Sequence, residues 1–304
     1  MAADSFPFTV AYLAPDGFVA ELQTELGGAV RETYGRLVVA YGPEQPVAWA
    51  ANVWRNPVVT PIVSIGDAAN KLRAIQRNWV LYSWDHHRRA ALIADKLPSV
   101  SAKPLVFGTP APTSPLGSWT LVGPDLMLAS PACSSAFPNG EVQFVEDKEG
   151  PPNRAYLKLW EAFTLLGSRP QPGERCVDLG ASPGGWTWVL QHTGAQVVSI
   201  DKAPLAPEIA ALPRVETRVE SAFGLDPRAL GPVDWLCSDI VCYPERLLAL
   251  VQRWLAAGTV KRFVCTLKFQ GDTDFAVMQR FAAIPGSRLM HLHHNKHELT
   301  WIRL

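Results

Sequence analysis

The sequence has no excess of charge of either sign, because 28 Lys and Arg side chains stand against 28 Asp and Glu side chains in 304 residues. Such a chain has no overall field that draws it onto nucleic acid or an anionic membrane, so a polyanionic partner must be held by a local surface. No apolar run approaches the ~18 residues of a membrane-spanning helix. The opening residues MAADSFPFTVAYLAPDG also lack the basic and apolar regions of an export signal. We therefore expect a cytoplasmic protein without a membrane partner.

Cysteine is scarce, and its spacing argues against structural zinc. The five residues form neither a CxxC pair nor a regular framework; they are Cys133, Cys176, Cys237, Cys242 and Cys265. The segments RCVDLG, DWLCSD and FVCTLK have the pattern of buried strands, in which free cysteine serves as a small apolar residue. A redox role is the alternative. Because 48% of the residues are apolar, the chain is not globally disordered, and its length predicts about two domains.

Proline marks the domain boundaries. Ten of the 26 prolines lie between residues 98 and 152, where regular helices are therefore excluded. Within this stretch, SWTLVGPDLMLAS alternates like two short strands around a Gly-Pro turn. We predict a small α+β domain in residues 1–90, a Pro-rich connector with short strands in residues 91–152, and an α/β domain in residues 153–304.

The first domain begins with a β-α-β pattern. FTVAYLA (8–14) is typical of a strand, FVAELQTELG (18–27) of an amphipathic helix, and RLVVAYG (36–42) of a second strand. The segments NPVVTPIVSIG, GDAANKLRAIQRN and WVLYSW add a strand, a helix and a strand. Together they predict a βαββαβ set, as in a ferredoxin-like layer.

Strand and helix patterns alternate regularly after residue 152, which predicts a doubly wound sheet of parallel strands with helices on both faces. The last two segments, SRLMHLHH and ELTWIRL, follow one another as an antiparallel hairpin.

The strongest local signal is the segment DLGASPGGW (178–186), which follows an apolar strand and begins a helix. Gly180, Gly184 and Gly185 allow a tight turn and close approach of a ligand to the backbone. The next strand ends in Asp201, whose carboxylate can accept hydrogen bonds from a ribose diol. The segment is neither GxGxxG nor a phosphate loop, so S-adenosylmethionine fits better than a pyrophosphate ligand. An ordinary glycine turn is the alternative.

Four charged residues interrupt apolar elements of this domain: Lys158 in AYLKLWEAF, Asp239 after VDWLCS, Lys268 after FVCTL, and Glu298 before LTWIRL. Ligands of open α/β sheets bind beyond the carboxyl ends of the strands, where Asp239 and Lys268 are expected. Each charge alone is also typical of a solvated strand end, so only their convergence makes a site.

With these segments the sequence resembles the FtsJ-type 2′-O-ribose RNA methyltransferases, which carry a Lys-Asp-Lys-Glu tetrad on a Rossmann-like methyltransferase fold. NRAYLKLWEAF, VDLGASPGGW, CSDIV, TLKF and HELTWIRL are similar to the family's motifs, and the resemblance covers about half of the chain. DLGASPGGWTWVL and YLAPDGFVAELQTELG are most similar to the RlmM branch, which acts on large-subunit ribosomal RNA. That branch has a complete THUMP-type module where this chain has its Pro-rich stretch.

The resemblance implies S-adenosylmethionine as cofactor, ribosomal RNA or its precursor as partner, and no metal. It implies that Lys158, Asp239, Lys268 and Glu298 are catalytic, with Lys268, held by Glu298 and Lys158, deprotonating a ribose hydroxyl. The residues implied for the cofactor are Asp178, Gly180, Ser182, Pro183, Gly184, Gly185 and Trp186 as its frame, Asp201 at its ribose, Glu220 or Ser221 at its adenine, and Asp239 at its methyl group.

Two other functions stay open. The chain could methylate a different acceptor, since the cofactor motifs do not specify one, or it could be a non-catalytic RNA- or cofactor-binding protein, against which the four charges argue.

Two residue clusters add weaker signals. His291, His293, His294 and His297 invite a metal site, although alternation on a strand would send neighbours to opposite faces. The tryptophans at 49, 54, 79, 84 and 119 suit base stacking, with core packing as the favoured alternative.

The neutral total hides two unlike halves. Residues 1–150 hold 11 basic and 14 acidic side chains, whereas residues 151–304 hold 17 basic and 14 acidic ones. We therefore expect modest, localised RNA affinity with a shallow salt dependence.

Overall fold

A computed structural model describes residues 10–100 and 102–304. The chain forms two compact units. The first holds the described residues up to Leu105 together with Ala111–Gln143, and the second holds Val106–Pro110 and Phe144–Leu304.

The first unit has the predicted α+β composition and contains two sheets. The first sheet has the strand order β2-β3-β1-β4-β9, with every neighbouring pair antiparallel. Its elements are β1 (Val10–Leu13), α1 (Val19–Leu26), β2 (Val30–Tyr34), β3 (Leu37–Ala40), β4 (Asn52–Arg55) and β9 (Ala132–Cys133). The predicted strand 8–14 is thus observed from Val10, while its residues 8 and 9 lie outside the described part.

The second sheet of this unit has the order β5-β8-β7-β6. Its elements are β5 (Val58–Pro61), α2 (Ile65–Ile75), β6 (Trp79–Leu81), α3 (His87–Ala94), β7 (Gly117–Gly123) and β8 (Leu126–Ser130). The βαββαβ set is therefore divided between two sheets. The hairpin predicted in SWTLVGPDLMLAS is confirmed as β7 and β8. Most of the Pro-rich stretch lies in this unit, because β7 and β8 pair with β6 and β5.

The second unit is the predicted doubly wound domain. Its sheet has the order β12-β11-β10-β13-β14-β16-β15, with the first five strands parallel and β16 antiparallel to both neighbours. Its strands are β10 (Arg175–Leu179), β11 (Gln196–Asp201), β12 (Val215–Val219), β13 (Val233–Ser238), β14 (Val260–Lys268), β15 (Ser287–Met290) and β16 (Glu298–Arg303). Its helices are α4 (Tyr156–Leu166), α5 (Gly185–His192), α6 (Pro207–Ala210), α7 (Pro244–Ala257) and α8 (Phe275–Ala282).

The core of the second unit lies on its central strands. Cys176, Cys237 and Cys265 are fully buried on β10, β13 and β14, which confirms their interpretation as small apolar residues. In the first unit, core packing is confirmed for four tryptophans, since Trp49, Trp54, Trp79 and Trp119 are all buried. No helix in the described ranges has both the length and the apolar character needed to cross a membrane.

Candidate active site

A cavity of about 480 Å³ opens at the carboxyl ends of β10, β11, β13 and β14. The chain proceeds from β10 outward to β11 and β12, and then returns to β13 on the other side of β10. Such a reversal of strand order leaves a crevice in which α/β proteins bind ligands. The sequence-predicted residues that line it are Asp178, Gly180, Ser182, Gly185, Trp186, Asp201, Ser221, Asp239 and Lys268. Pro183, Gly184, Glu220, Lys158 and Glu298 are not among the lining residues.

The glycine turn is shaped by close backbone packing. Gly180 has φ +77°, and a Cβ there would lie 2.7 Å from Cα of Ile240. Gly185, at the start of α5, has its Cβ position 2.3 Å from Asn153 Oδ1. Side chains at these two positions would collide with the walls of the cavity. The turn therefore requires glycine for packing, as well as for access to a ligand.

Asp178 is a buried carboxylate at the floor of this turn. Its Oδ2 accepts a 2.7 Å hydrogen bond from Thr187 Oγ1, which also lies 2.8 Å from Ser199 Oγ. Its Oδ1 is buried without a hydrogen-bond partner in the structure. Burial raises the pKa of Asp178 to about 7. An unpartnered buried acceptor favours a ligand donor at this position.

Asp201 lies where the sequence predicts it, at the end of β11 and on the cavity wall. Its Oδ2 accepts a 3.0 Å hydrogen bond from the Ser182 amide, and its Oδ1 accepts one of 3.0 Å from the Ala203 amide. These two bonds fix the carboxylate against the glycine turn. Because a carboxylate has about four acceptor positions, Asp201 can still accept hydrogen bonds from the hydroxyls of a ligand.

Several lining residues were missed by sequence reasoning, including Asn153, Lys202, Phe223, Ile240 and Arg246. Arg246 places its guanidinium 3.8 Å from the centre of the Phe223 ring, which is a cation–π contact at the cavity wall. All except Arg246, on α7, lie in loops, where no periodic pattern singles them out. Asn153 and Ile240 had a signal, since they lie in the NRAYLKLWEAF and CSDIV segments.

The four charges predicted as a tetrad converge beside the cavity. Lys158 Nζ, on α4, lies 2.7 Å and 2.8 Å from the two carboxylate oxygens of Asp239 and 3.1 Å from Glu298 Oε1. Lys268 Nζ lies 3.1 Å from Asp239 Oδ1. Lys158 and Glu298 are buried, whereas Asp239 and Lys268 retain 15% and 19% of their side-chain exposure. Asp239 and Lys268 thus face the cavity, with Lys158 and Glu298 behind them.

One expected contact differs from the structure. The resemblance implies that Lys268 is held by Glu298 and Lys158, and Lys268 does stand opposite Glu298 in the β14–β16 register. The ion pair of Lys268 is instead with Asp239. Glu298 instead contacts Lys158, because α4 brings the Lys158 ammonium group between the carboxylates of Asp239 and Glu298.

The histidine cluster does not continue a strand, so that part of the prediction is wrong. β15 ends at Met290, and residues 291–297 form a loop before β16. His294 Nδ1 lies 2.6 Å from Glu161 Oε2, and His291 Nε2 lies 3.0 Å from the Lys296 carbonyl. Within residues 10–100 and 102–304, no three His, Cys, Asp or Glu side chains are grouped as metal ligands.

Comparison with known proteins gives one matching family model and several similar proteins. Residues 152–261 match the model of the FtsJ-like methyltransferase family. "Ribosomal RNA large subunit methyltransferase M" of Halorhodospira halophila is 40% identical over 157 residues, which are 49% of this chain and 46% of that protein. The protein of the same name from Thauera aminoaromatica is 32% identical over 204 residues, which are 62% of this chain and 54% of its own.

The chain spans about half the length of the curated relatives it matches. Among solved structures, TrmN from Thermus thermophilus aligns over 96% of this chain and 98% of its own at 14% identity and a TM-score of 0.38. The segment that matches the family model holds the glycine turn, Asp201, Lys158 and Asp239. Residues 152–261 of this chain are therefore similar to the FtsJ-like methyltransferases.

Proposed function

We propose that this protein is an S-adenosylmethionine-dependent 2′-O-ribose methyltransferase of large-subunit ribosomal RNA or its precursor, acting in the cytoplasm. The observation that carries the proposal is the convergence of Lys158, Asp239, Lys268 and Glu298 beside a cavity with a glycine turn. A protein that only bound RNA would have no need for four mutually compensating charges at this place.

The hydrogen-bond acceptors at the cavity fit the polar groups of the cofactor. Asp201 offers carboxylate acceptors to a ribose diol, and the unpartnered Oδ1 of Asp178 offers one to an ammonium group or amide. Ser221 lines the cavity, whereas Glu220 is exposed and does not line it. Ser221 is therefore the better candidate for contact with the adenine. When bound, S-adenosylmethionine supplies an electrophilic methyl group.

The tetrad can hold and deprotonate a hydroxyl group. Lys158 fixes Asp239 by contacts to both carboxylate oxygens, and Glu298 balances the charge of Lys158. Lys268 shares Asp239 with the ammonium group of Lys158. In its deprotonated form, Lys268 can orient the 2′-hydroxyl and accept its proton, so that the oxygen becomes a better nucleophile. Positioning of the hydroxyl supplies much of the remaining rate, and no metal ion takes part.

The substrate class rests on the relatives. They are named as methyltransferases of large-subunit ribosomal RNA, and the match to the family model covers residues 152–261, which include Lys158 and Asp239. We therefore propose ribosomal RNA as the acceptor. Methylation of another acceptor is the second candidate, because the cofactor cavity alone does not choose between acceptors.

The test compares Lys268→Met with Lys261→Met, which removes an exposed lysine from the other end of β14. Both variants are incubated with labelled S-adenosylmethionine and unmodified large-subunit ribosomal RNA, which is then digested to nucleosides. We expect label in a 2′-O-methyl nucleoside for the wild type and Lys261→Met, and a loss of about 100-fold or more for Lys268→Met. Cofactor affinity, measured by calorimetry, should be unchanged in both variants.

Three results would contradict the proposal or the role of Lys268 in it. Label that appears only in protein or small molecules identifies another acceptor. Cofactor binding without transfer to naked RNA or to ribosomal particles indicates a binding protein. Wild-type rates in Lys268→Met would remove the assigned role of Lys268.

A further inference from the structure

Glu161 is a buried carboxylate on α4 that the proposed mechanism does not use. Only 1% of the residue is exposed. Its Oε1 accepts a 2.7 Å hydrogen bond from the His293 amide, and its Oε2 accepts one of 3.0 Å from the His294 amide. The same Oε2 lies 2.6 Å from His294 Nδ1. A buried carboxylate is costly to desolvate, and here three donors from one short segment compensate it.

These donors belong to residues 291–297, the segment between β15 and β16, which we call the histidine loop. Contacts within the loop, and from the loop to the start of β16, link its residues to one another and to Glu298. His291 is buried, and burial lowers the pKa of its ring to about 4, so a neutral ring contacts the Lys296 carbonyl at 3.0 Å. Asn295 Nδ2 donates 3.2 Å hydrogen bonds to the Glu298 carbonyl and to Thr300 Oγ1. Displacement at one end of the loop should therefore reach Glu298 at the other.

The same helix contacts the middle of this loop and the residue that directly follows it. Glu161 follows Lys158 by three residues on α4, so the two side chains lie on the same side of the helix. Lys158 contacts the carboxylate of Glu298, and Glu161 contacts the amides that lie four and five residues before it. Helix α4 thus contributes Lys158 to the tetrad and Glu161 to the loop that precedes Glu298, the last tetrad residue.

We propose that Glu161 is a positioning residue, which anchors the histidine loop so that Glu298 stays in contact with Lys158. This inference rests on the proposed function, because its kinetic consequence is defined for methyl transfer. Glu161 itself touches none of the four tetrad residues in a hydrogen bond or ion pair of the described chain. Its influence must therefore pass through the loop and Glu298.

The main variant is Glu161→Gln, which keeps the volume but turns an NH₂ group toward one of the loop amides. We expect hydrogen exchange at His293 and His294 to accelerate about 10-fold or more, while the strands β10 and β13 keep their protection. We also expect kcat to fall about 10- to 100-fold through misplacement of Glu298, with cofactor affinity unchanged. The matched control is Asp234→Asn. Asp234 lies near the start of β13, and its carboxylate accepts a hydrogen bond from the Arg175 amide.

A double variant separates positioning from general loss of structure. If Glu161 acts through Glu298, then Glu161→Gln combined with Glu298→Gln should be no slower than Glu298→Gln alone. Glu161→Gln should move the Glu298 carboxylate away from Lys158, and Glu298→Gln removes its charge altogether. In both variants the acid limb of the pH–rate profile should therefore move to lower pH. A merely structural role would lower the rate in both backgrounds by the same factor and would leave the profile in place.

The outcomes are distinguishable from failure of the proposed function. A wild-type protein that does not methylate RNA overturns the proposed function. Independent multiplicative losses in an active enzyme overturn the positioning role. Unchanged exchange at His293 and His294 in Glu161→Gln overturns it even without an assay of methyl transfer.

Discussion

Lys268 and Glu298 stand directly opposite one another in the β14–β16 register, yet each forms its ion pair with a different residue. Lys268 Nζ lies 3.1 Å from Asp239 Oδ1, and Glu298 Oε1 lies 3.1 Å from Lys158 Nζ. Since Lys158 also contacts Asp239, the four charges form a row in the order Lys268, Asp239, Lys158, Glu298. Lys268 is the end of the row that lines the cavity, which suits it for contact with a substrate.

Removal of the second member of this row should affect both stability and rate. Asp239→Asn leaves two ammonium groups without the carboxylate between them, one of them on a buried side chain. We expect a decrease of about 3 kcal/mol in the free energy of unfolding, measured with urea, and a loss of methyl transfer of about 100-fold or more. In Asp234→Asn the lost partner is Lys261, whose side chain is 67% exposed; this change should cost less than about 1 kcal/mol. Equal stabilities of the two variants would contradict the burial argument.

Asp178 should make stability depend on pH. Burial raises its pKa to about 7 in the folded protein, above the unfolded value of about 3.9. The folded state therefore binds the proton more tightly, and the stability that this proton contributes is lost as pH rises from about 4 to about 7. Asp178→Asn cannot lose that proton. We expect it to match the wild type near pH 4 and to exceed it by up to about 4 kcal/mol above pH 7, in urea unfolding without cofactor. A difference that does not change with pH would refute the assignment.

An added side chain in the first turn of α5 should displace Asn153 from its place at the cavity wall. In Gly185→Ala, the new Cβ would lie 2.3 Å from Asn153 Oδ1, so Asn153 must move at the cavity wall. We expect cofactor affinity, measured by calorimetry, to fall about 10-fold or more. Gly271→Ala is the matched control, because no atom lies within 4 Å of its Cβ position and its φ is not in the left-handed region. Equal affinities of the two variants would show that the ligand does not use this wall.

The sequence was most informative where polar residues interrupt apolar elements. Asp239 follows β13 and Lys268 ends β14, each directly after a run of buried strand residues, so their placement at one edge follows from the parallel order of the sheet. Contacts from outside this sheet carry no such pattern. The link from Lys158 to Glu298 joins residues 140 positions apart, and it depends on how α4 packs. The partner of Lys268 was misjudged for the same reason.

Alternation alone also misled the prediction at two places. LMHLHH alternates like a strand, but buried Glu161 captures the amides of His293 and His294, and the strand ends at Met290. In the first unit, β5 pairs with β8 across about 65 residues of chain. Local periodicity contains no information about such pairing, so the strands of two sheets were assigned to one layer.

RNA affinity should depend only weakly on salt. Five cations of the second unit are already paired on its surface: Arg154, Arg218, Lys261, Arg262 and Arg280. We expect the logarithm of the RNA binding constant to fall with the logarithm of salt concentration with a slope of about −1 to −3, as for two to four phosphate contacts. Arg246 lines the cavity and has no carboxylate within ion-pair distance in the described chain. Arg246→Ala should therefore reduce the slope by about 0.7, as measured by fluorescence anisotropy. Arg280→Ala, which only releases Glu245, should leave the slope unchanged. A wild-type slope steeper than about −5 would show that a large basic surface binds the RNA.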